Sequence, residues 1–210
     1  MQKLIVIGNG GHAKVVIDIA NNNGYKIVAC LDDKFEKLIN NNEVYFGPID
    51  AISYIREIYQ DVKVIIALGN NKLRKSIFEK IKVPLEEYAV LVHSSTIISS
   101  DVSIGFGSVV MPGVVINSNS QIGVNSIINT SSIIEHDSII GDFVHIAPNS
   151  TITGSVIIEN GTLVGASSTL IPGVRVGQWS VLGAGSIVVK NIPSNVKAMG
   201  IPAVIKGSEA

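Results

Sequence analysis

From Val92 to Val188 every sixth residue is Val, Ile or Leu with no slip in register, running through Ile98, Ile104, Val110, Ile116, Ile134, Ile146, Ile158, Leu170 and Leu182. Four residues after each of them stands something small or β-branched: Thr96, Val102, Ser108, Val114, Ser120, Ser126 and so on to Ser186. An amphipathic helix repeats its apolar residues about every 3.6 positions and a half-buried strand every 2, so a sustained period of six fits neither. It is the pattern of a parallel β-helix of hexapeptide repeats. Three short strands close one triangular coil, each aliphatic points into a narrow prism, and stacked coils bury one another's side chains. The stretch supplies about five coils, enough for neighbours to build a core; a β-sandwich would have to match the spacing by chance. The corners of such a coil favour residues that tolerate turn conformations. Gly105, Gly123, Gly141, Gly165, Gly177 and Gly183 directly follow a repeat aliphatic and are expected to fill that role.

The start of the repeat divides the chain into residues 1–90 and 91–210, in keeping with about 100–200 residues per domain as a soft prior. A net charge of −1 gives no broad pull toward nucleic acid or an anionic membrane, and no basic run or aromatic series suited to stacking bases is present. The opening MQKLIVIGNGGH reaches glycine too early for a signal peptide, and no apolar run approaches the roughly 18–20 residues needed to cross a bilayer. A cytoplasmic location is expected. The single cysteine, Cys30, lies in the run Ile27 to Leu31 and reads as a buried strand thiol.

The first 90 residues follow another grammar. Leu4 to Ile7 is a continuous apolar run ending in Gly8-Asn9-Gly10-Gly11-His12, and an amphipathic stretch follows from Ala13 to Asn22 with Val15, Val16 and Ile19 on one side. That is strand, glycine turn, helix. A second run, Ile27 to Leu31, ends in Asp32-Asp33, and a third, Val62 to Leu68, ends in Gly69-Asn70-Asn71. Alternating strands and helices predict a small Rossmann-like parallel sheet of about four strands, with ligands beyond the carboxyl ends of the strands, where all three polar turns lie. The spacing Gly8-x-Gly10-x-x-Ala13, with Asp32 downstream, meets the dinucleotide fingerprint, but the domain is about half of a full dinucleotide fold, so a mononucleotide fits better. Backbone amides near Gly10 and Gly11 are placed for phosphate, and Asp32 or Asp33 for ribose or base. Alternatively the glycines only permit a tight turn and the aspartates cap the next segment.

The order GxGGHA, LDD and ALGNNxxR, then the repeat with NTSSIIEHDSIIGDFVHIAP and a closing Gly200-Ile201-Pro202-Ala203, resembles the nucleotide-sugar acetyltransferases that N-acetylate UDP-4-amino sugars in the bacillosamine pathway; related members O-acetylate sialic acid or N-acetylate GDP-perosamine. The resemblance covers essentially the whole chain. It implies a left-handed β-helix, a homotrimer with active sites between subunits, acetyl-coenzyme A as co-substrate, no metal, and a role in surface-glycan synthesis. It assigns the general base to His136 and its partner to Asp137, where the bacillosamine enzymes carry Glu; Glu135 remains a substitute. His145 is assigned to acetyl-coenzyme A or the sugar, Gly154, Ala166 and Ala184 to the coenzyme, and Asn129 to the acceptor. His12, Gly69 and Asn70 join Gly10, Gly11, Asp32 and Asp33 around the nucleotide, while Lys190 and Lys206 are candidates for the coenzyme phosphates.

The chemistry agrees with those residue types. Acyl transfer from a thioester to an amine needs a base for the proton that nitrogen loses, and imidazole titrates near the operating pH. His136 and His145 interrupt the hexads where no aliphatic is required, and a carboxylate on one ring nitrogen fixes the tautomer and steadies the imidazolium. No thiol is placed for a covalent acyl intermediate, so direct transfer in a ternary complex is expected, with a backbone amide holding the oxyanion. The alternative for both histidines is an exposed corner, and His93 reads as structural. A metal-dependent hydratase on the same fold would need three converging histidines, and a nucleotide-sugar binding scaffold would have no use for a His-carboxylate pair. O-acetylation of a sialic acid would use the same base.

Overall fold

The computed structural model describes residues 1–208, in two compact units, Met1–Val92 and His93 onward. In the first unit a five-stranded sheet has the order β3-β4-β2-β1-β5, built from β1 (Gln2–Ile7), β2 (Tyr25–Leu31), β3 (Ile39–Asn41), β4 (Val44–Gly47) and β5 (Val62–Ile66). All neighbours are parallel except β3 and β4. Central β1 is apolar on both faces, and Leu4 to Ile7 are fully buried, as expected of a strand covered on both sides. Helices α1 (Gly11–Asn22), α2 (Ile52–Ile58) and α3 (Asn71–Ile81) provide the cover. The parallel α/β sheet matches the expectation from sequence, with three differences. The β3–β4 hairpin was not foreseen; it turns at Asn42 and Glu43, both at positive φ, as a two-residue hairpin requires. Strand β5 stops at Ile66, short of the apolar run. Val15 faces outward, 42% exposed, while Val16 and Ile19 are buried.

The second unit is a parallel β-helix with three faces. Face 1 stacks Ile97–Ile98, Val115–Ile116, Ile133–Ile134, Thr151–Ile152, Thr169–Leu170 and Ile187–Val188. Face 2 stacks Ser103–Ile104, Gln121–Ile122, Ile139–Ile140, Ile157–Ile158 and Arg175–Val176. Face 3 rises from Val109–Val110 through Ile127–Ile128, His145–Ile146, Leu163–Val164 and Val181–Leu182 to Val196–Met199 and the antiparallel Val204–Ser208. Each strand pairs with the one a coil away, as Ile127 with His145 and His145 with Leu163. From Val110 to Val188 every hexad aliphatic is at most 3% exposed. Val92, Ile98 and Ile104 are only half-buried.

The second inward position is chemically specific. Ser108, Ser126, Ser132 and Ser150 are fully buried, and their hydroxyls donate to the carbonyls of Gly123, Gly141, Ala147 and Gly165 in the next coil. Several also accept: Ser108 from Ser126 N–H at 2.9 Å, Ser126 from Val144 N–H at 3.0 Å. Buried backbone groups at a corner need a partner, and a hydroxyl, both donor and acceptor, serves two at once.

The expectation for the corner glycines is corrected. The residue that takes positive φ is the third after each aliphatic from Ile104 to Leu182: Gly107, Gly113, Asn119, Asn125, Ser131, Asp137, Phe143, Asn149, Ser155, Gly161, Ser167, Gly173, Trp179 and Gly185. The glycines that directly follow an aliphatic have no such dihedral. They are small because the next coil presses on them: a Cβ on Gly123 would lie 2.5 Å from the Gly141 carbonyl carbon, and one on Gly105 2.6 Å from that of Gly123. Gly185, at φ 70°, has nothing within 4 Å of its Cβ direction. Gly123→Ala should therefore destabilise by about 3 kcal/mol through overpacking, and Gly185→Ala by about 1 kcal/mol through backbone strain alone. Thermal melts of the two variants check this, and equal losses would refute the steric account.

Candidate active site

The edge between faces 1 and 2 carries the pair His136 and Asp137. Strand Ile133–Ile134 ends, Glu135 comes next, and His136 and Asp137 form the turn. Asp137 sits at φ 60°, a conformation Asp and Asn tolerate better than longer side chains, which gives a local reason for Asp at this place. Its Oδ2 lies 2.7 Å from His136 Nδ1, and its Oδ1 accepts from Asn119 Nδ2 at 2.7 Å. These bonds, the Asn119 amide first and His136 second, hold the Asp137 carboxyl below its ordinary range. Glu135 is engaged elsewhere, its Oε2 accepting from Asn117 at 2.8 Å. With Nδ1 turned to Asp137, Nε2 is the nitrogen left to take a proton. The ring lies across Gly154 one coil on, where a Cβ would come within 2.7 Å of His136 Nε2. Gly154, assigned from sequence to the coenzyme, also makes room for the imidazole.

His145 stands on face 3. Asn129 Oδ1 accepts the Thr130 N–H at 2.8 Å, so its Nδ2 faces His145 Nε2 at 3.1 Å. An amide N–H there makes Nε2 the acceptor and places the His145 proton on Nδ1. Ala166 and Ala184 lie at successive turns of the edge between faces 3 and 1. The predicted residues of the coil therefore form two groups: His136, Asp137 and Gly154 on one edge, and His145 and Asn129 on or beside the opposite face, flanked by Ala166 and Ala184. Within one chain the prism separates them. Lys190 and Lys206 are exposed, and His93 bonds locally to Ser95 at 2.8 Å. Among the described residues no group of three His, Cys, Asp or Glu side chains is placed to hold a metal.

The first unit gathers its turns at the carboxyl edge of the sheet. β1 is flanked by β2 and β5, so the crevice between the ends of β1 and β5 is a topological switch point. The two loops there meet closely: Gly8, at φ 105°, has the Ala67 carbonyl oxygen 2.9 Å from its Cβ direction. Gly10 and Gly11 are exposed and face open space, so the amide end of α1 is accessible. Asp32 and Asp33 are partly used by the chain itself. Asp32 accepts from the Asn9 and Lys34 amides at 2.8 and 3.0 Å, and Asp33 from the Ile49 amide at 2.9 Å. Asn70 caps α3 by accepting the Leu73 N–H at 2.9 Å.

Two functional candidates escaped the reading from sequence. Arg74 is 1% exposed and grips the exit of β5, donating to the Leu68 carbonyl at 2.8 Å and to Asn71 Oδ1 at 2.8 Å; burial lowers its guanidinium to about 9, which leaves it charged at neutral pH. Its signal was the Arg that ends ALGNNxxR. Asn119 was legible only as the residue one coil before Asp137.

Comparison with known proteins assigns the family. Residues 3–81 match the PglD N-terminal domain, and residues 155–190 the hexapeptide repeat of succinyl-transferase. PerB of Caulobacter crescentus, solved with CoA and GDP-perosamine, is 34% identical and superposes with a TM-score of 0.89 over 99% of this chain and 98% of its own. The chain belongs to this PerB/PglB family of hexapeptide-repeat acetyltransferases. Another member, the acetyltransferase domain of PglB from Neisseria gonorrhoeae in complex with acetyl coenzyme A, is 31% identical with a TM-score of 0.84, covering 97% of this chain and 98% of that one. The UDP-N-acetylbacillosamine N-acetyltransferase of Bacillus subtilis is 39% identical over 112 residues, 53% of this chain and 52% of the relative, so the match spans about half that relative's length. The three-faced coil is the left-handed β-helix of this family, and no helix of the described residues is long and apolar enough to cross a membrane.

In this acetyltransferase, burial pushes the His12 imidazole down from 6.5 to about 4, with the Arg74 charge adding to the effect. Between those values the unfolded chain holds a proton that the native state refuses, so stability rises with pH across the window and is lost as pH falls from 6.5 toward 4. The loss should reach about 2–3 kcal/mol near pH 4. Urea midpoints against pH measure it, and His12→Gln should flatten that segment; an unchanged slope would place the titration elsewhere.

Proposed function

We propose that the protein is a cytoplasmic acetyl-coenzyme A-dependent N-acetyltransferase acting on the amine of a nucleotide-linked amino sugar, a UDP-4-amino-4,6-dideoxy sugar by preference, for surface-glycan synthesis. The observation that carries the reading is the His136–Asp137 pair, with Nδ1 tied at 2.7 Å and Nε2 left as the base. Acetyl-coenzyme A supplies a thioester, a carbonyl activated toward amines. His136 Nε2 removes the N–H proton as the amine attacks that carbonyl. The new C–N bond forms, the C–S bond breaks, and the sulfur leaves as the coenzyme thiol after protonation. Asp137 keeps the tautomer and stabilises the imidazolium between the two proton transfers. The solved relatives support this substrate class: PerB was crystallised with CoA and GDP-perosamine, and so was a variant of the same enzyme with one histidine replaced by Asn, so in that relative a lost histidine is compatible with both ligands bound.

The nucleotide would lie at the β1–β5 crevice, its phosphates at the amides of Gly10 and Gly11, near His12, Asp32, Asp33, Gly69 and Asn70. We further propose self-association, a homotrimer on the family pattern. It follows from treating His136 and His145 as one site, since opposite sides of one prism become neighbours only when the face 1–2 edge of one copy meets face 3 of another. Asn129 and the coenzyme arm along Ala166 and Ala184 would then come from the copy that brings His145.

His136→Ala should cut turnover by roughly 10²–10⁴ with acetyl-coenzyme A binding retained, and wild-type turnover in that variant would remove the base assignment. Thiol release against a panel of UDP-amino sugars, GDP-perosamine, a dTDP-amino sugar and sialic acid identifies the acceptor; release with sialic acid alone would replace N-acetylation by O-acetylation. Co-expressed His136→Ala and His145→Ala chains should regain activity that neither has alone, through mixed interfaces that hold both wild-type histidines. Continued inactivity of well-folded mixed oligomers would argue against a shared site.

A further inference from the structure

We propose that Asn119 is a positioning residue for the base, acting from the preceding coil through Asp137. The inference rests on the reading of His136 as that base. Asp101, Asn119 and Asp137 stand at successive turns of the face 1–2 edge, 18 residues apart. Asp101 Oδ2 accepts the Asn119 backbone N–H at 3.0 Å, Asn119 Nδ2 donates to Asp137 Oδ1 at 2.7 Å, and Asp137 Oδ2 accepts from His136 Nδ1 at 2.7 Å. The polarity of this ladder has one solution. An ionised carboxylate only accepts, so the amide must present Nδ2 to Asp137, and the imidazole must present its Nδ1 proton.

The need for such a ladder follows from exposure. The side chains of His136 and Asp137 are 61% and 49% exposed, and in that setting a carboxylate held through one oxygen is free to swing about its χ angles. A second bond, to the other oxygen, fixes the plane of the carboxylate and with it the direction in which the imidazole points. Asn suits the place on two grounds. It tolerates φ 60°, and its amide reaches across the distance between coils. The other turn residues at positive φ along this edge, Ser155 and Gly173, belong to coils beyond the base.

The charged groups along this edge are carboxylates: Asp101 from two coils before the imidazole, and Glu135 and Asp137 beside it. Asn119, one coil before, is a neutral amide, and the following coil presents Gly154 and Ser155, which carry no charge.

Two substitutions separate positioning from folding. Asn119→Gly deletes the amide yet suits the backbone, since glycine fills the same repeat position at Gly107, Gly113, Gly161 and Gly173. It should lower kcat about tenfold, the scale of one hydrogen bond to a charged group, with KM for acetyl-coenzyme A unchanged. Asn119→Asp also suits the turn but replaces the donor by an anion. The added negative charge favours the imidazolium, so the acid limb of the kcat–pH profile should move up by roughly 0.5 unit in this solvent-screened setting. In an Asp137→Ala background the tenfold effect of Asn119→Gly should vanish. Wild-type kcat and pH profile in both variants, with His136→Ala inactive, would overturn the role of Asn119 alone. An undiminished effect of Asn119→Gly without Asp137 would overturn it too, by showing a merely structural role. Wild-type turnover in His136→Ala would instead remove the base on which the inference stands.

Discussion

Everything in the second unit depends on one spacing: a coil closes in 18 residues, so each residue lies directly on its counterpart one turn earlier. Backbone hydrogen bonds run from coil to coil along all three faces, as from Ile127 N–H to Val144 O and from Ile133 N–H to Ser150 O. Side chains inherit the same register. The aliphatics form three internal columns, the buried serines bridge one corner to the next, and the turn residues form ladders along the edges. Because contacts are between neighbours, the stability of such an array is close to a sum of coil and interface terms. Any residue that thickens a corner is felt by the coil above it, which is why Gly105, Gly123 and Gly141 have no side chain.

The columns explain how the proposed catalytic group can be built on so repetitive a scaffold. The inward positions are fixed by packing and the turn position by its dihedral, but the outward residues of each turn are free to vary. At the face 1–2 edge that freedom is used to place His136 beside a carboxylate. The same outward freedom on face 3 holds His145 against Asn129. Stacking supplies rigidity that a solvent-exposed loop would lack, and places residues of different coils at a fixed separation.

Much of this architecture could be read from the chain because period six is a steric demand repeated in every coil, and Val92 to Val188 meets it without interruption. The small residues at the second inward position were equally visible, though only the folded coil reveals that Ser108 or Ser126 is there for its hydroxyl. The corner glycines misled, since Gly123 and Gly177 look like turn residues yet answer to a contact from the neighbouring coil, while Trp179 and Phe143 take the left-handed turn that composition would have denied them. In the first unit the long apolar strands were plain, and the β3–β4 hairpin was hidden because β3, Ile39-Asn40-Asn41, is only three residues long, exposed throughout and apolar at one position alone. At the candidate site the pairing of His136 with Asp137 in preference to Glu135 depends on side-chain direction at one turn, which spacing does not encode. The separation of His136 from His145 could have been derived from the order of the three faces. Arg74 was hidden because a buried arginine looks, in sequence, like any other charge on a helix.

The three internal columns are chemically alike, all Val, Ile and Leu, and this has a consequence for how such a protein tolerates rearrangement. Gain or loss of one hexad rotates everything downstream by a third of a turn, yet still points every aliphatic inward and every buried serine toward a corner. The core cannot tell the shifted frame from the original one. The edge ladders can, because Asp137 would no longer lie over Asn119, nor Gly154 under His136. Within this scaffold the unit of tolerated length change is therefore six residues for the fold and 18 for the site, so an insertion can leave a well-packed protein whose chemistry has been turned to the wrong side.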